Sequence, residues 1–159
     1  MQNFEINSKI TNNIHYTPVE AEIIEFIEEL PDVFTIKLQI TDPEIAKNYT
    51  FLPGQFNMVY LYGVGEVAIS IVYGCVEQPG SFMHTIAVVG RITKGMVKLK
   101  KGDKVGIRGP FGTSWPLQRA LGKNVIIVSG GVGNAPLVAA TEYILKNREN
   151  YGKLYIIHG

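Results

Sequence analysis

The segment NVIIVSGGVGNAPL, residues 124–137, combines residue types that could bind a nucleotide. Its first six residues are mostly apolar and rich in β-branched side chains, which predicts a buried strand. Gly131 and Gly133 follow in a turn, and a helix is predicted from Ala135 onward. This order suits a dinucleotide pyrophosphate, because glycines let the backbone approach the phosphates and a helix N-terminus offers unpaired N–H groups. Pro136 replaces the usual third glycine, and a first helical turn tolerates its missing N–H. A tight βα turn that binds nothing has the same pattern.

The composition of the 159-residue chain argues against several classes of protein. Hydrophobic residues make up 46% and charged residues 18%, which provides for a core and shows no signature of disorder. A net charge of +1 without long runs of one sign argues against nucleic acid or an anionic membrane as the main partner. With no signal-peptide pattern and no apolar run near ~20 residues, we expect a cytoplasmic protein. The single cysteine, Cys75, excludes an internal disulfide and a cysteine-built metal cluster, so no metal site is predicted.

The residues before the glycine turn predict a series of short strands. In residues 33–41, apolar side chains alternate with polar ones, which predicts a strand with one buried face. About six such strands, separated by glycine and proline turns at intervals of about ten residues, predict a small antiparallel barrel or sandwich. One of them is predicted over residues 83–93, where His84 is expected to be a hydrogen-bonded structural residue.

The pattern changes after a connector at residues 115–123. A strand, the glycine turn, a helix over 135–146 and a strand over 153–157 predict one βαβ unit with a parallel strand pair. Two parallel strands leave edges unpaired, so this unit is expected to be part of a larger domain. The predicted fold is an N-terminal antiparallel β-barrel followed by the first βαβ unit of an α/β Rossmann-like nucleotide domain. The predicted boundaries are a polar arm at 1–17, the barrel at 18–115 and the partial nucleotide domain at 116–159.

Five motifs, in this order, make the chain resemble the ferredoxin–NADP⁺ reductase superfamily. It is most similar there to the flavin- and NAD(P)-binding gamma subunits of cytosolic nickel–iron hydrogenases, and also resembles the electron-transfer subunits of dihydroorotate dehydrogenase and anaerobic sulfite reductase. The motifs are PGQF (53–56), GVGEVAIS (63–70), VGRIT (89–93), GDKVGIRGPFG (102–112) and GGVGNAPL (130–137).

The resemblance implies a flavin site. Ser70 matches a serine whose hydroxyl lies near the flavin N5, which makes it the candidate catalytic residue. Ile69 stands where a tyrosine normally packs on the ring, Val67 stands where an arginine would pair with phosphate, and Arg91 is the candidate substitute. The Thr93 hydroxyl either holds the flavin pyrophosphate or only caps the helical turn that follows. The implied flavin-binding residues are Gln55, Val67, Ala68, Ile69, Ser70, Gly90, Arg91, Ile92, Thr93, Gly95 and Met96.

The resemblance also implies cofactors and partners. The nicotinamide dinucleotide would bind at Gly130, Gly131, Gly133, Asn134 and Pro136. The expected cofactors are FAD, with FMN as the alternative, and NAD(P)H as electron donor or acceptor. The expected protein partners are iron–sulfur or hydrogenase-type subunits of a hetero-oligomer, or a ferredoxin-like carrier.

The implied function is that of a flavin-dependent, diaphorase-type electron-transfer subunit that moves electrons between NAD(P)H and an iron–sulfur or hydrogenase-type partner. One alternative is a flavin-binding module without its own nicotinamide chemistry. Another is a non-catalytic, truncated assembly subunit, which the departures at Val67 and Ile69 motivate. Because the predicted nucleotide domain is incomplete, the sequence leaves open whether this chain is an enzyme by itself.

Overall fold

A computed structural model describes residues 16–74 and 78–159 of the chain. Cys75 and residues 1–15 of the predicted arm lie outside the described residues. The strands are β1 (Val19–Leu30), β2 (Val33–Ile40), β3 (Phe56–Leu61), β4 (Gly65–Ser70), β5 (Tyr73–Gly74), β6 (Ser81–Ala87), β7 (Lys104–Phe111), β8 (Val125–Ser129) and β9 (Leu154–His158). The helices are α1 (Pro43–Asn48), α2 (Arg91–Met96) and α3 (Ala135–Lys146), and short 3₁₀ turns cover Leu117–Ala120, Gly131–Asn134 and Arg148–Asn150.

Seven of these strands form one antiparallel sheet in the order β4-β3-β7-β1-β2-β6-β5. The outermost strands, β4 and β5, are consecutive in the chain and are separated only by Ile71 and Val72. The Val72 N–H donates to the Met83 carbonyl of β6 at 3.0 Å, so the two ends of the sheet meet. Closure of this kind removes exposed strand edges. The predicted antiparallel β-barrel is confirmed.

The barrel interior is filled by the alternating side chains of its strands. On β2, Phe34, Ile36, Leu38 and Ile40 are at most 2% exposed, as their alternation with polar residues predicts. They pack with buried side chains of the facing strands, among them Phe82, Val105 and Ile107. This core is the rigid support for the strand ends on which the candidate site is built.

The C-terminal part is one βαβ unit in which β8 and β9 pair in parallel. Helix α3 has the predicted bounds and covers one face of β8, where Ile127 packs with the buried Ile144. On the other face four large apolar side chains remain 47–66% exposed, namely Ile126, Val128, Tyr155 and Ile157. The predicted βαβ unit with its parallel strand pair is therefore confirmed. In the described part of the chain, no helix has the length and apolar character needed to cross a membrane.

One predicted element is wrong at its C-terminal end. The strand expected over residues 83–93 ends at Ala87, and α2 begins at Arg91. The change occurs because the N–H groups of Val89 and Gly90 donate to the Thr93 hydroxyl at 2.9 and 3.0 Å, which closes a helical turn. This turn directs the start of α2 toward the candidate site.

Candidate functional site

A cleft of about 420 Å³ lies between the barrel and the βαβ unit. Strand β4, the end of β6 and the start of α2 form its barrel side. Residues 130–136, which comprise the turn after β8 and the first two residues of α3, form the opposite side and are called the nucleotide turn below. Residues from separate predicted motifs therefore meet at one cavity. The lining residues are Val67, Ala68, Ile69, Ser70, Thr85, Ile86, Ala87, Val89, Gly90, Arg91, Ile92, Thr93, Val132, Ala135 and Pro136.

Strand β4 supplies an apolar wall of this cleft. Val67 and Ile69 are half-buried and pack against the barrel core from the strand that begins the sheet order. Ser70 ends the strand, and its hydroxyl makes no hydrogen bond within residues 16–74 and 78–159. A flat aromatic group could lie on this wall with the Ser70 hydroxyl free to contact it.

A chain of buried polar groups holds the end of β4 in place. The Tyr49 hydroxyl donates to Asn57 Oδ1 at 2.8 Å, and Asn57 Nδ2 donates to His84 Nε2 at 3.3 Å. His84 Nδ1–H then donates to the Ser70 carbonyl at 2.8 Å. Burial lowers the pKa of His84 to about 4, although the bond to Ser70 acts in the opposite direction. The ring is therefore neutral at pH 7, and His84 is the hydrogen-bonded structural residue that the sequence predicts.

The start of α2 supplies a cation. Arg91 is exposed and donates from Nη2 to the Val64 carbonyl at 3.1 Å. Within the described part of the chain, no carboxylate lies at ion-pair distance from Arg91. The first N–H groups of a helix also lack intrahelical acceptors. An anionic group could bind here, as the sequence predicts for a flavin phosphate.

The Thr93 hydroxyl makes its hydrogen bonds to backbone groups of the protein. It accepts from the N–H groups of Val89 and Gly90 and donates to the Gly90 carbonyl at 3.1 Å. Because one donor and two acceptor positions are occupied, this geometry favours the capping alternative. Thr93 lines the cleft, but its hydroxyl holds the loop in shape.

The nucleotide turn uses two of its N–H groups within the protein. Gly131 N–H donates to the Gly159 carbonyl at 3.1 Å, and Gly133 N–H donates to the Gly130 carbonyl at 3.0 Å. Approach to the turn is nevertheless open, because a Cβ added at either glycine would meet nothing within 4 Å. The Asn134 side chain accepts from the Ser129 hydroxyl at 3.1 Å and stabilises the turn.

Three residues of the predicted flavin set make contacts within the protein, and the cofactor role of each stays a prediction. Met96 is 0% exposed and lies in the barrel core. A Cβ at Gly95 would come within 2.6 Å of Leu61, so this glycine allows α2 to pack on β3. The Gln55 amide accepts from Leu52 N–H at 2.8 Å and donates to the Gly112 carbonyl at 3.1 Å, which holds two turns together.

Sequence reasoning missed part of the lining. The end of β6 contributes Thr85, Ile86 and Ala87, and the nucleotide turn contributes Val132 and Ala135. The sequence offered a signal for β6, because this strand ends two residues before the VGRIT motif. The three β6 residues were not predicted as site residues, because none of the five motifs includes a residue of that strand.

A second groove of about 680 Å³ lies beside β1 and β2 and the residues after α2. Its lining mixes acidic Glu25 and Glu28 with basic Lys37, Lys100 and Lys101. No predicted site residue lies there. The mixed charge gives no preference for an anionic cofactor, so the cleft remains the candidate site.

The residues of the cleft fit a flavin. An apolar wall beside a free hydroxyl suits a ring system with polar edges, and an exposed arginine without a carboxylate partner among the described residues suits a phosphate. The nearby pair Arg108 and Glu66 takes no part in the lining, because the two side chains bind each other at 3.0 Å across β3. This ion pair raises the pKa of Arg108.

The chain is similar in sequence to several curated proteins. No protein-family model matches the chain. It is 38% identical over 144 residues to sulfhydrogenase 2 subunit gamma of Pyrococcus furiosus, covering 91% of this chain and 49% of that protein. It is 40% identical over 129 residues to the probable dihydroorotate dehydrogenase B (NAD⁺) electron transfer subunit of Methanocaldococcus jannaschii, covering 81% of this chain and 44% of that protein. The chain thus spans about half the length of the curated relatives it matches.

Solved structures show the same fold. A ferredoxin–NADP⁺ reductase from Neisseria gonorrhoeae with bound FAD and NADP superposes with a TM-score of 0.72 at 22% identity, covering 87% of this chain and 56% of that one. An NADH-dependent reduced ferredoxin–NADP oxidoreductase superposes with a TM-score of 0.71 at 26% identity, covering 87% of this chain and 48% of that one. The resemblance inferred from the five motifs is confirmed.

Proposed function

We propose that this chain, which is related in sequence to sulfhydrogenase gamma subunits and has the fold of the ferredoxin–NADP⁺ reductase superfamily, is a flavin-binding electron-transfer subunit. It would move electrons between NAD(P)H and an iron–sulfur or hydrogenase-type partner. The observation that carries this proposal is the meeting of the β4 wall, the Arg91 cation and the nucleotide turn at one cleft.

The roles of the residues follow from that cleft. Val67 and Ile69 would cover the flavin ring and exclude water from one face. The Ser70 hydroxyl would contact the reacting edge of the ring, and Arg91 would hold phosphate. The flavin would supply the chemistry that links two-electron donors to one-electron acceptors. Pro136 and Val132 border the cleft on the side where the nicotinamide dinucleotide would enter.

Flavin binding is tested by incubating the purified chain with FAD or FMN in separate samples, then removing free cofactor by gel filtration. We expect a yellow protein with FAD, because a cleft between two structural units suits a long dinucleotide. Retention of FMN alone would change the cofactor assignment. A protein that stays colourless with both would overturn the proposed function.

Ser70 is proposed as the catalytic residue. In the flavin-loaded chain under anaerobic conditions, Ser70→Ala should slow bleaching by NADH or NADPH at least about 10-fold while flavin is retained. Thr85→Val is a matched control, because Thr85 also lines the cleft but its hydroxyl bonds to the Thr35 hydroxyl at 2.8 Å. Equal rates for both variants would remove Ser70 from this role.

A second candidate is a flavin module without its own nicotinamide chemistry. It is favoured by one observation, namely that Gly131 and Gly133 use their N–H groups within the protein. It predicts a yellow protein that neither NADH nor NADPH bleaches, whereas the main proposal predicts bleaching by at least one of them. The same anaerobic titration therefore separates the two.

We also propose that the chain acts in the cytoplasm as part of a hetero-oligomer. The relatives are named as subunits, which supports a multi-chain assembly. Affinity purification of the tagged chain from its own source tests this. Recovery of an iron–sulfur protein at a fixed ratio is expected, and a chain recovered alone would contradict it.

A further inference from the structure

We propose that Trp115 is a positioning residue that holds the nucleotide turn against the barrel and so sets the width of the cleft. This inference rests on the proposed function, because the width of the cleft matters for electron transfer only if the cleft holds the flavin. Trp115 lies in the connector between β7 and β8, outside the residues that line the cleft.

On the barrel side, Trp115 is held by the turn at Pro53 and Gly54. Its backbone N–H donates to the Pro53 carbonyl at 2.8 Å. The indole lies directly on Gly54, where an added Cβ would come within 2.9 Å of the ring atom Cδ1. Gly54 has a φ of 103°, a backbone conformation that favours glycine. Glycine is therefore required at this position both by the backbone conformation and by the lack of room for a Cβ beside the indole.

On the other side, the indole reaches the nucleotide turn. Nε1–H donates to the carbonyl of Pro136 at 3.2 Å. Pro136 lies in the first turn of α3 and lines the cleft opposite Val67 and Ile69. A single side chain therefore connects the barrel turn to the wall of the cleft.

The exposure of Trp115 supports a positioning role. The side chain is 41% exposed, so it is only partly used as core packing. Its one polar hydrogen nevertheless has a partner in the other structural unit. Geometry between reacting groups is sensitive to shifts of about 1 Å, so a contact that fixes the cleft width affects transfer more than binding.

The first test is amide hydrogen exchange of the 159-residue chain, without and with added FAD. Trp115→Phe keeps an aromatic ring on Gly54 and removes the N–H that Pro136 accepts. We expect exchange in residues 137–140 to become about 3- to 10-fold faster, the effect of one lost hydrogen bond. Exchange in β2 and β6 should not change. Equal exchange at residues 137–140 in both proteins would overturn the proposal.

A second variant alters the contact between the Trp115 indole and the barrel turn at Gly54. Gly54→Ala should displace the indole, and because Trp115 is the single tryptophan in the chain, its emission should shift to the red. Gly63→Ala is the matched control, since Gly63 also has a positive φ of 74° but no atom within 4 Å of an added Cβ. The same emission in both variants would contradict the seating of Trp115 on Gly54.

A third measurement separates positioning from stability and from the proposed function. In flavin-loaded Trp115→Phe, the limiting rate of bleaching by NADH or NADPH should fall about 10-fold, while the Kd for flavin stays within about 2-fold. A stability effect alone would raise the Kd and leave the limiting rate unchanged, which would overturn the proposal. If the unaltered chain binds no flavin, the proposed function fails, and amide exchange still decides the role of Trp115.

Discussion

The barrel and the βαβ unit differ in how completely they bury their apolar side chains. The barrel closes on itself, and Ile23, Phe82 and Ile107 are 0% exposed. In the βαβ unit, Ile126 and Val128 remain 63% and 66% exposed on the face away from α3. The difference teaches that the barrel is the stable support, whereas the βαβ unit depends on contacts outside its own sheet. The cleft lies where these two regions meet.

The largest expected effect is in the barrel core. Phe82→Ala should lower the free energy of unfolding by about 3–5 kcal/mol, because it leaves a cavity beside the Tyr49 and His84 rings. Urea denaturation followed by circular dichroism measures it. A loss below about 1 kcal/mol would contradict the description of the barrel as the stable region.

The pH dependence of stability comes next. Burial holds the pKa of His84 at about 4, below its usual 6.5, so the unfolded chain takes up this proton first as the pH falls. The resulting stability is complete above pH 6.5 and is lost as the pH falls to about 4, by roughly 3 kcal/mol in total. Urea denaturation at several pH values measures the loss.

The control for this prediction is His84→Gln, which removes the titrating group from the Asn57 and Ser70 contacts. The variant should be less stable at pH 7 and should lose the part of the pH dependence between 6.5 and 4. If both proteins follow the same pH profile, the loss comes from other groups.

A smaller effect is expected where a ligand bridges the two regions. Arg91→Gln should weaken flavin binding about 5- to 10-fold, because an exposed cation gives a phosphate only a modest interaction. Lys94→Gln removes the same charge from the same helix outside the cleft lining and should change the affinity less than about 2-fold. Absorbance titration of both variants with FAD distinguishes a specific contact between Arg91 and the flavin phosphate from a general effect of positive charge on α2.

The smallest effect is expected on the open face of the βαβ unit. Ile126→Ala should change the free energy of unfolding by no more than about 0.5 kcal/mol, because the side chain is already 63% exposed. A loss above about 1.5 kcal/mol, measured as for Phe82→Ala, would show that the face is covered in solution. The two variants together test the contrast between the regions.

Much of the fold follows from local patterns. The alternation of Phe34, Ile36 and Leu38 predicts a half-buried strand, and Pro136 indicates where α3 begins. The strand predicted through Thr93 failed because a side chain, acting as a cap, changed the backbone direction at Gly90. Such a contact depends on the conformation of four successive residues, which apolar periodicity does not describe.

The site was predictable at the level of segments and less so at the level of side chains. Ser70, Arg91 and Pro136, which belong to three of the motifs, line one cleft. Motif order did not predict that the Met96 side chain lies in the barrel core or that the Gln55 amide joins two turns, because a motif fixes the path of the backbone but not the direction in which each side chain points. The roles of Asn57 and Trp115 depend on contacts between residues distant in sequence, and these required the three-dimensional structure.

The position of β7 between β3 and β1 has a consequence for the order of folding. Strands β1, β2 and β6 pair with one another, and β3 pairs with β4, before β7 in the chain. Strand β7 joins them by pairing with both β1 and β3. The last strand of the barrel to be synthesised is therefore an interior strand of the sheet order, and the barrel is complete only once the chain through Phe111 is available.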